Sequence, residues 1–273
     1  MYDDRQGPAA VPDLDDEDMK ALLAALAAGR ERVERCELKD RTVWIKRYRR
    51  PGPRLGSRAL AFASRFGGLA MLRPSPLLDI DGMIEREVRQ IECFSAAGFR
   101  TPQIVYRGPT VLVLTHLGLP VSKHMGPLRE SDSEAHDQLL VRCAAELGRL
   151  HAAGLCHGRP HPRDFAIDED AFGFLDFEEV PATVMPLATA QARDVWLLFL
   201  QVASRALRPE TPDRAFAAWK LAAPTQAVHA LGEMMPAITR LLPLARFLLR
   251  LRQGQDLIRF IAATAYLANA TQS

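Results

Sequence analysis

The hydrophobic pattern of this chain changes at about residue 118, and that change limits the folds open to it. Polar and apolar residues alternate over 33–48, which predicts a β-hairpin, and two apolar runs within 103–118 predict two further strands. Between them, residues 83–98 place apolar side chains at helical spacing and end in a glycine. We therefore expect a small sheet with one helix packed on it in this part of the chain.

Helical spacing dominates the rest of the chain. Ser131 and Glu134 have the S-x-x-E spacing of a capping box, which predicts a helix that starts there. Two short apolar runs, 164–168 and 172–178, flank an acidic turn and predict a pair of strands, and helical segments follow from about residue 190. This order of elements predicts an α+β fold in two lobes, of which the second is mainly helical.

Three segments are expected along the chain: an acidic tail and helix over 1–30, an N-terminal lobe over 31–118 and a C-terminal lobe over 119–273. A hydrophobic fraction of 48% and a charged fraction of 25% are typical of a globular protein, and a net charge of +2 gives no indication of a nucleic-acid partner. No apolar run reaches the ~18 residues of a membrane span, and the acidic tail does not resemble a signal peptide. A cytoplasmic protein is expected.

The cysteines are widely spaced and form no C-x-x-C pair. This spacing favours reduced, buried thiols over a disulfide framework. The four residues are Cys36, Cys93, Cys143 and Cys156.

The stretch "LHAAGLCHGRPHPRDF", residues 150–165, indicates phosphoryl transfer when it is taken with residues before and after it. That reaction needs a cation on the nucleotide phosphates, carboxylates that hold magnesium, and a group that orients the acceptor. Lys46 lies in a predicted strand, and Glu87 on the following helix is placed to pair with it. Asp164 is the penultimate residue of the stretch, and Asp176 follows an apolar strand twelve residues later, so both are candidate magnesium ligands. Each residue alone has an ordinary alternative on a surface, edge or turn, and only their order and spacing favour a site.

These motifs resemble the protein-kinase-like superfamily from about Lys46 to Leu198. The nearest likeness is to bacterial lipopolysaccharide-core (Kdo/heptose) kinases, and a more distant one is to aminoglycoside and choline phosphotransferases. "EREVRQIECFSAAGFRTPQIV" is similar to the family's helix and G-x-x-x-P passage, and "LGRLHAAGLCHG" resembles the approach to its catalytic loop. "FLDFEE" resembles D-F-G with Glu178 in place of the glycine, and "QARDVWLLFL" resembles the Arg-Asp that supports the loop, a role that falls to Asp194.

The resemblance implies a two-lobed protein-kinase-like fold that binds ATP and Mg²⁺. "TVLVLTHLG" resembles the hinge of that fold, and the residues then implied in ATP binding are Lys46, Glu87, Leu114, Thr115, Leu117 and Asp176. The implied metal ligands are Asp164 and Asp176. The implied catalytic residues are Asp164, Arg159, Lys46 and Glu87.

The chain departs from the family pattern at the two most informative positions of the catalytic loop. Arg159 stands where the family carries its catalytic Asp, and Asp164 stands where the family carries a metal-binding Asn. The one asparagine of the chain, Asn269, is distant in sequence, so if a metal is held at this position, Asp164 must hold it. In one alternative Asp164 also accepts the proton of the acceptor, assisted by His157 or His161.

Two roles for Arg159 remain open at this point. Its charge can stabilise the transferring phosphoryl group, or it can pair with Asp176 or Asp194 and close the site. No G-x-G-x-x-G motif precedes Lys46, so the phosphate-binding loop gives no support to the site, which rests on Lys46, Glu87, Asp164 and Asp176.

The acceptor is suggested by two basic stretches, residues 45–58 and 240–260. In both, arginines are interspersed among other residues, a pattern that suits contact with an anionic membrane or a phosphorylated glycolipid. The alternatives are a solvated loop for the first stretch and a core helix with a charged rim for the second. A sugar of a lipopolysaccharide-type glycolipid is the first expected acceptor and a protein Ser or Thr hydroxyl the second, with peripheral contact at the inner membrane face. The alternatives are a nucleotide-binding regulator or scaffold of kinase shape, and an all-helical regulator in which the Lys46 region is only a hairpin.

Overall fold

The computed structural model describes residues 14–50, 71, 73–251 and 254–272. The chain forms two compact units. Unit 1 comprises Met1–Pro51 and Leu77–Gly118, and unit 2 comprises Gly52–Pro76 and Leu119–Ser273. The α+β class expected from the sequence is confirmed. The first 13 residues of the predicted acidic tail and most of the basic stretch 45–58 lie outside the described residues, as does Arg252.

Unit 1 is built on a four-stranded antiparallel sheet in the order β1-β2-β4-β3. Its elements, in chain order, are α1 (Asp16–Ala28), β1 (Val33–Glu37), β2 (Thr42–Arg47), α2 (Ile80–Ala96), β3 (Ile104–Arg107) and β4 (Val111–Thr115). This sheet is incompatible with the all-helical alternative.

The core of unit 1 follows from the alternation in β2. Val43 and Ile45 point to the same face of the strand and are fully buried against Leu22 of α1 and Val113 of β4. Helix α2 buries one stripe of side chains at helical spacing, as the sequence predicts: Ile84, Val88, Ile91 and Phe94. The register of the sheet pairs Lys46 with Leu112, which fixes where the lysine lies along β2.

Unit 2 is mainly helical and contains a three-stranded antiparallel sheet in the order β5-β6-β7. Its elements, in chain order, are β5 (Leu119–Pro120), α3 (Val121–Ser131), α4 (Ser133–Ala152), β6 (Phe165–Asp168), β7 (Ala171–Phe174), a 3₁₀ turn (Pro181–Thr183), α5 (Leu187–Arg205), α6 (Thr211–Ala222), α7 (Thr225–Thr239), α8 (Leu242–Leu251) and α9 (Gln255–Ala270). Helix α4 packs on α6, and α5 packs on α7 and α9.

The predicted capping box at Ser131 is wrong. Helix α3 runs through this position, and the Ser131 hydroxyl donates to the carbonyl of Pro127 at 3.0 Å. Helix α4 is capped instead by Asp132, whose carboxylate accepts from the backbone N–H of Ala135 at 2.9 Å. Aspartate is as good an N-cap as serine, so the helix begins one residue later than the motif suggests.

No disulfide joins the cysteines, as expected, but one of them is not buried. Cys36, Cys143 and Cys156 are buried, whereas Cys93 is exposed on α2. Within the described residues, no helix has the length and apolar character needed to cross a membrane.

Candidate functional site

A buried ion pair joins β2 to α2 in unit 1. The Lys46 Nζ lies 2.8 Å from Oε1 and 2.8 Å from Oε2 of Glu87, and the two side chains are 9% and 1% exposed. The Tyr48 hydroxyl also donates to Oε2 of Glu87. The sequence predicted the Lys46–Glu87 pair, but it did not single out Tyr48.

The burial of this pair carries a cost that its geometry must offset. Removing two charges from water costs several kcal/mol per ion, which their mutual attraction offsets only in good geometry. Here the carboxylate of Glu87 is held by the lysine and the tyrosine together, so the lysine ammonium is fixed in direction. An oriented, partly desolvated ammonium is suited to binding phosphate oxygens.

The implied hinge residues lie at and just beyond the end of β4. Leu114 is buried within the strand, and Thr115 ends it, with its hydroxyl accepting from the backbone N–H of Gln103 at 2.8 Å. Leu117 follows in the connection after β4 and is partly exposed. All three belong to unit 1, like Lys46 and Glu87.

Asp194 of α5 holds the loop that follows α4 in unit 2. Its carboxylate is fully buried and accepts from the backbone N–H groups of His157 at 2.6 Å and Gly158 at 2.9 Å. A carboxylate that accepts two backbone amides fixes the path of the loop, because each amide would otherwise be buried without a partner. The geometry matches the supporting role that the sequence assigns to Asp194.

Gly158 and Asp176 are two of the four described residues of unit 2 with positive φ; the others are Gly154 and Glu169. Gly158 has a φ of +96°, and a Cβ there would lie 2.4 Å from the carbonyl oxygen of Glu179, so only glycine fits. Asp176 has a φ of +63°, which is uncommon for a residue with a side chain. Such backbone conformations concentrate at functional sites, where surrounding contacts maintain them.

His157 serves the packing of the loop. Its ring is buried among Phe165, Phe174 and Phe177, and its Nε2 donates to the carbonyl of Leu175 at 3.0 Å. Burial lowers the pKa of His157, so the ring is neutral near pH 7. A ring that donates from Nε2 to a backbone carbonyl orients the loop and does not act there as a base.

Asp164 is a buried carboxyl group in the loop between α4 and β6. The residue is 3% exposed, and its Oδ2 is buried without a hydrogen-bond partner within the described residues. Burial and the negative charge of Asp176 raise the pKa of Asp164 to about 7. Its backbone is fixed at both ends, since the N–H donates to His161 at 2.7 Å and the carbonyl accepts from Leu175 at 2.8 Å.

Two arginines contact the candidate metal ligands. The guanidinium of Arg159 lies 3.5 Å from Oδ2 of Asp176, and the two side chains are 48% and 28% exposed. The Nε of Arg163 lies 3.3 Å from Oδ1 of Asp164. Of the two partners open to Arg159 from the sequence, Asp176 is the one it contacts, and exposed pairs of this kind contribute ~0–1 kcal/mol. A weak pair is easily opened by a ligand.

His161 accepts a hydrogen bond with Nδ1 from the backbone N–H of Arg163 at 3.0 Å. Burial, followed by the charges of several arginines, lowers the pKa of His161 to about 4, so the ring is neutral. A neutral ring that accepts at Nδ1 carries its proton on Nε2. Nε2 is then a hydrogen-bond donor, which leaves Asp164 as the acid–base candidate of this loop.

The residues in unit 2 fit a magnesium ion held by few protein ligands. Within the described part of the chain, no group of three or more His, Cys, Asp and Glu residues could hold a metal. Magnesium is commonly held by one or two carboxylates together with substrate phosphates and water. The buried Oδ2 of Asp164 and the proximity of a second carboxylate, that of Asp176, suit such a site.

The comparisons with known proteins leave the family open. No family model and no curated protein matches the chain. Among solved structures, the chain is similar to one titled "The complex structure of Rv3197-erythromycin from Mycobacterium tuberculosis", with 21% identity, 88% of this chain and 70% of that chain covered, and a TM-score of 0.35. A likeness of this degree carries no argument about function, and membership of the protein-kinase-like superfamily stays a prediction.

Proposed function

We propose that this protein is an ATP-dependent phosphotransferase that uses Mg²⁺ to transfer the γ-phosphate to a hydroxyl group. The observation that carries the proposal is the state of Asp164: a buried carboxyl with one unpartnered oxygen and a pKa raised to about 7 beside a second carboxyl, that of Asp176. An arrangement that costs stability in the absence of a cation is typical of a binding site. Magnesium, when bound, neutralises phosphate charge and aligns the nucleotide.

The roles of the protein groups follow from their chemistry. Asp164 and Asp176 hold the metal ion. Lys46, oriented by Glu87, binds phosphate oxygens of the nucleotide. Asp194 maintains the loop that carries Asp164, through the two amides it accepts. The resemblance of the motifs to kinase-like enzymes supports the same assignment.

The acceptor's proton has one acid–base candidate in the loop, Asp164. Without a metal ion its pKa is raised to about 7, and a bound Mg²⁺ would lower it, so Asp164 would accept the proton as an ionised carboxylate. Since phosphoryl transfer relies chiefly on positioning and charge, replacing the usual base by Arg159 is compatible with turnover. Arg159, which is half exposed, then lies beside Asp176, where its charge can stabilise the transferring phosphoryl group.

A second candidate function rests on the same arginine. The Arg159–Asp176 pair at 3.5 Å occupies one proposed metal ligand, as expected in a nucleotide-binding regulator that does not turn over. Measuring transfer from γ-labelled ATP in wild type, Arg159→Ala and Arg159→Asp separates the two. Loss of transfer in Arg159→Ala supports the enzyme, whereas absence of transfer in wild type together with gain in Arg159→Asp supports the regulator.

A sugar hydroxyl of an anionic glycolipid is the proposed acceptor, and a protein Ser or Thr hydroxyl is the alternative. Support for a lipid-borne acceptor comes from α8, which exposes an apolar face opposite to the one it buries with Leu242 and Ala245. The exposed fractions of that face are 56%, 56%, 41% and 69% for Leu244, Phe247, Leu248 and Leu251.

The charges around α8 favour an anionic lipid surface as the partner of this apolar face. Arg246 and Arg250 lie on the same helix, and the sequence contains no acidic residue between Glu233 and Asp256. No ion pair within the described residues includes either arginine. Two copies of such a cationic face would repel each other, whereas anionic lipid headgroups attract it. We therefore propose that α8 contacts the membrane peripherally.

A further inference from the structure

The two faces of the four-stranded sheet in unit 1 carry different kinds of side chain. One face packs against α1 and contains Cys36, Val43, Ile45 and Val113, all of them buried. Because side chains alternate along a strand, the other face carries the residues between them. These residues are Val33 and Arg35 of β1, Trp44 and Lys46 of β2, and Leu112 and Leu114 of β4. The lysine proposed to bind phosphate therefore shares a face with an aromatic side chain.

Trp44 lies next to Lys46 on this second face. The register pairs Trp44 with Leu114 and Lys46 with Leu112, and two residues along a strand span about 7 Å. Glu87 fixes the ammonium of Lys46 at 2.8 Å. The indole and the ammonium are thus neighbours along β2, at a spacing across which a ribose connects a base to its phosphates.

Trp44 is partly exposed, unlike the other two tryptophans of the chain. Trp196 and Trp219 are buried, with exposed fractions of 7% and 0%. Val33, which is diagonal to Trp44 on β1, is 44% exposed, so this part of the sheet face is open to solvent. Aromatic side chains that remain accessible on a rigid element are typical of surfaces that bind ligands.

A hydrogen bond fixes the indole ring of Trp44. Its Nε1–H donates to Nδ1 of His116 at 3.0 Å, and the two ring centroids lie 6.3 Å apart with planes tilted by 36°. His116 follows β4 directly, and its backbone N–H donates to the carbonyl of Thr42 at 3.2 Å. Because the ring is already oriented, a ligand that stacks on it immobilises little further side-chain freedom.

An oriented indole beside a phosphate-binding cation suits the base of a nucleotide. Aromatic side chains stack on nucleobases, and the interaction is tolerant of base identity because every base has a π face. The ring is continuous with the proposed phosphate site, since Trp44 and Lys46 lie on one face of one strand.

We propose that Trp44, oriented by His116, is the residue on which the base of the bound nucleotide stacks. This inference rests on the proposed phosphotransferase function and deepens it, because it assigns the base, as distinct from the phosphates, to a side chain of β2. It adds Trp44 to the nucleotide-binding residues that the sequence implies.

The test compares the binding of ATP and of tripolyphosphate, both with magnesium, by isothermal titration calorimetry. Tripolyphosphate has the phosphate chain of ATP but no base. Trp44→Leu should weaken ATP binding about tenfold and leave tripolyphosphate binding unchanged, since only the stacking is lost.

The matched control is Tyr106→Leu, the same kind of change at an aromatic residue of β3. Tyr106 is 45% exposed, and its register partner, Val113, belongs to the face that α1 covers. This variant should bind both ligands as wild type does.

Trp44→Phe keeps a stacking ring and carries the test if Trp44→Leu does not fold. It should bind ATP within about threefold of wild type, because phenylalanine also stacks on a base. ATP should quench part of the tryptophan emission of wild type and none of the emission of Trp44→Phe, whose two remaining tryptophans are buried.

The outcomes separate this proposal from the proposed function. ATP binding that Trp44→Leu leaves at the wild-type level, or equal losses of ATP and tripolyphosphate binding, would overturn the role of Trp44 and leave the phosphotransferase standing. Quenching by ATP that survives in Trp44→Phe would overturn that role as well. If wild type binds neither ligand, the proposed function fails and the assignment of Trp44 fails with it.

Discussion

Replacing Asp164 by asparagine is expected to stabilise the ligand-free protein in mildly alkaline solution. Burial and the charge of Asp176 raise the pKa of Asp164 from 3.8 to about 7. Between these two pKa values the folded state retains a proton that the unfolded state has lost. The free energy of unfolding therefore falls as the pH rises from the lower pKa value to the higher, and the loss is complete above the higher value. Asparagine has nearly the same shape and cannot ionise.

The magnitude follows from the two pKa values. A shift of this size makes the ionised Asp164 cost about 4 kcal/mol near pH 8, and about 2.6 kcal/mol of that cost arises between about pH 5 and pH 8. A buried amide without a partner offsets part of the gain by about 1–3 kcal/mol at every pH. We therefore expect a net stabilisation of about 2 kcal/mol near pH 8, which falls to zero or below near pH 5.

Urea unfolding of wild type and Asp164→Asn near pH 5 and pH 8, without nucleotide or magnesium, measures this effect. The matched control is Asp170→Asn, a change in the exposed turn between β6 and β7, which should follow wild type at both pH values. If Asp164→Asn loses stability between these pH values as steeply as wild type, the titrating cost does not reside at Asp164 and the reasoning is refuted.

Three other predictions concern the buried ion pair, the loop glycine and the apolar face of α8. Lys46→Met should lower the free energy of unfolding by about 3–5 kcal/mol, because it leaves Glu87 buried and unneutralised. The double variant Lys46→Met with Glu87→Leu should recover much of that stability in a urea titration, while its response to magnesium and ATP stays lost. Gly158→Ala should lower the free energy of unfolding by more than about 2 kcal/mol, because the new Cβ meets the Glu179 carbonyl. Gly98→Ala, also at positive φ but in open space, should cost about 1 kcal/mol. Equal losses of stability in the two variants would contradict the steric argument. Phe247→Ser should weaken binding to vesicles containing phosphatidylglycerol about tenfold in a co-sedimentation assay, with no effect on neutral vesicles; unchanged binding would refute the assignment of α8.

Much of the fold could be predicted from the sequence because its periodicity is strong. The alternation around Val43 and Ile45 and the helical spacing around Ile84 have few other interpretations, and both segments form the expected elements. The helix over 121–131 was not predicted, since it contains a glycine and a proline that weaken the helical pattern. The start of the next helix, α4, was predicted one residue too early. The first residue of a helix depends on which polar side chain serves as the N-cap, and here it is Asp132 rather than Ser131.

The residues of the candidate site could be predicted from the sequence, whereas their hydrogen-bond partners and burial could not. Spacing identified Lys46 with Glu87, and the structure places their charged groups in contact. Tyr48 was missed, although it directly follows β2 and lies two residues after Lys46, the spacing that puts side chains on one face of an extended chain. The unpartnered oxygen of Asp164 depends on burial by distant segments and has no signal in the sequence.

The central claim is that the protein binds nucleotide and magnesium at a site that depends on Asp176. The most direct test is the melting temperature with and without saturating ATP and magnesium. Ligand at ~100 times its dissociation constant adds about 2.7 kcal/mol, which corresponds to a rise of several degrees. The account predicts this rise in wild type, its absence when magnesium is withheld, and its absence in Asp176→Asn. A melting temperature that ATP and magnesium leave unchanged in wild type, or raise equally in Asp176→Asn, would contradict it.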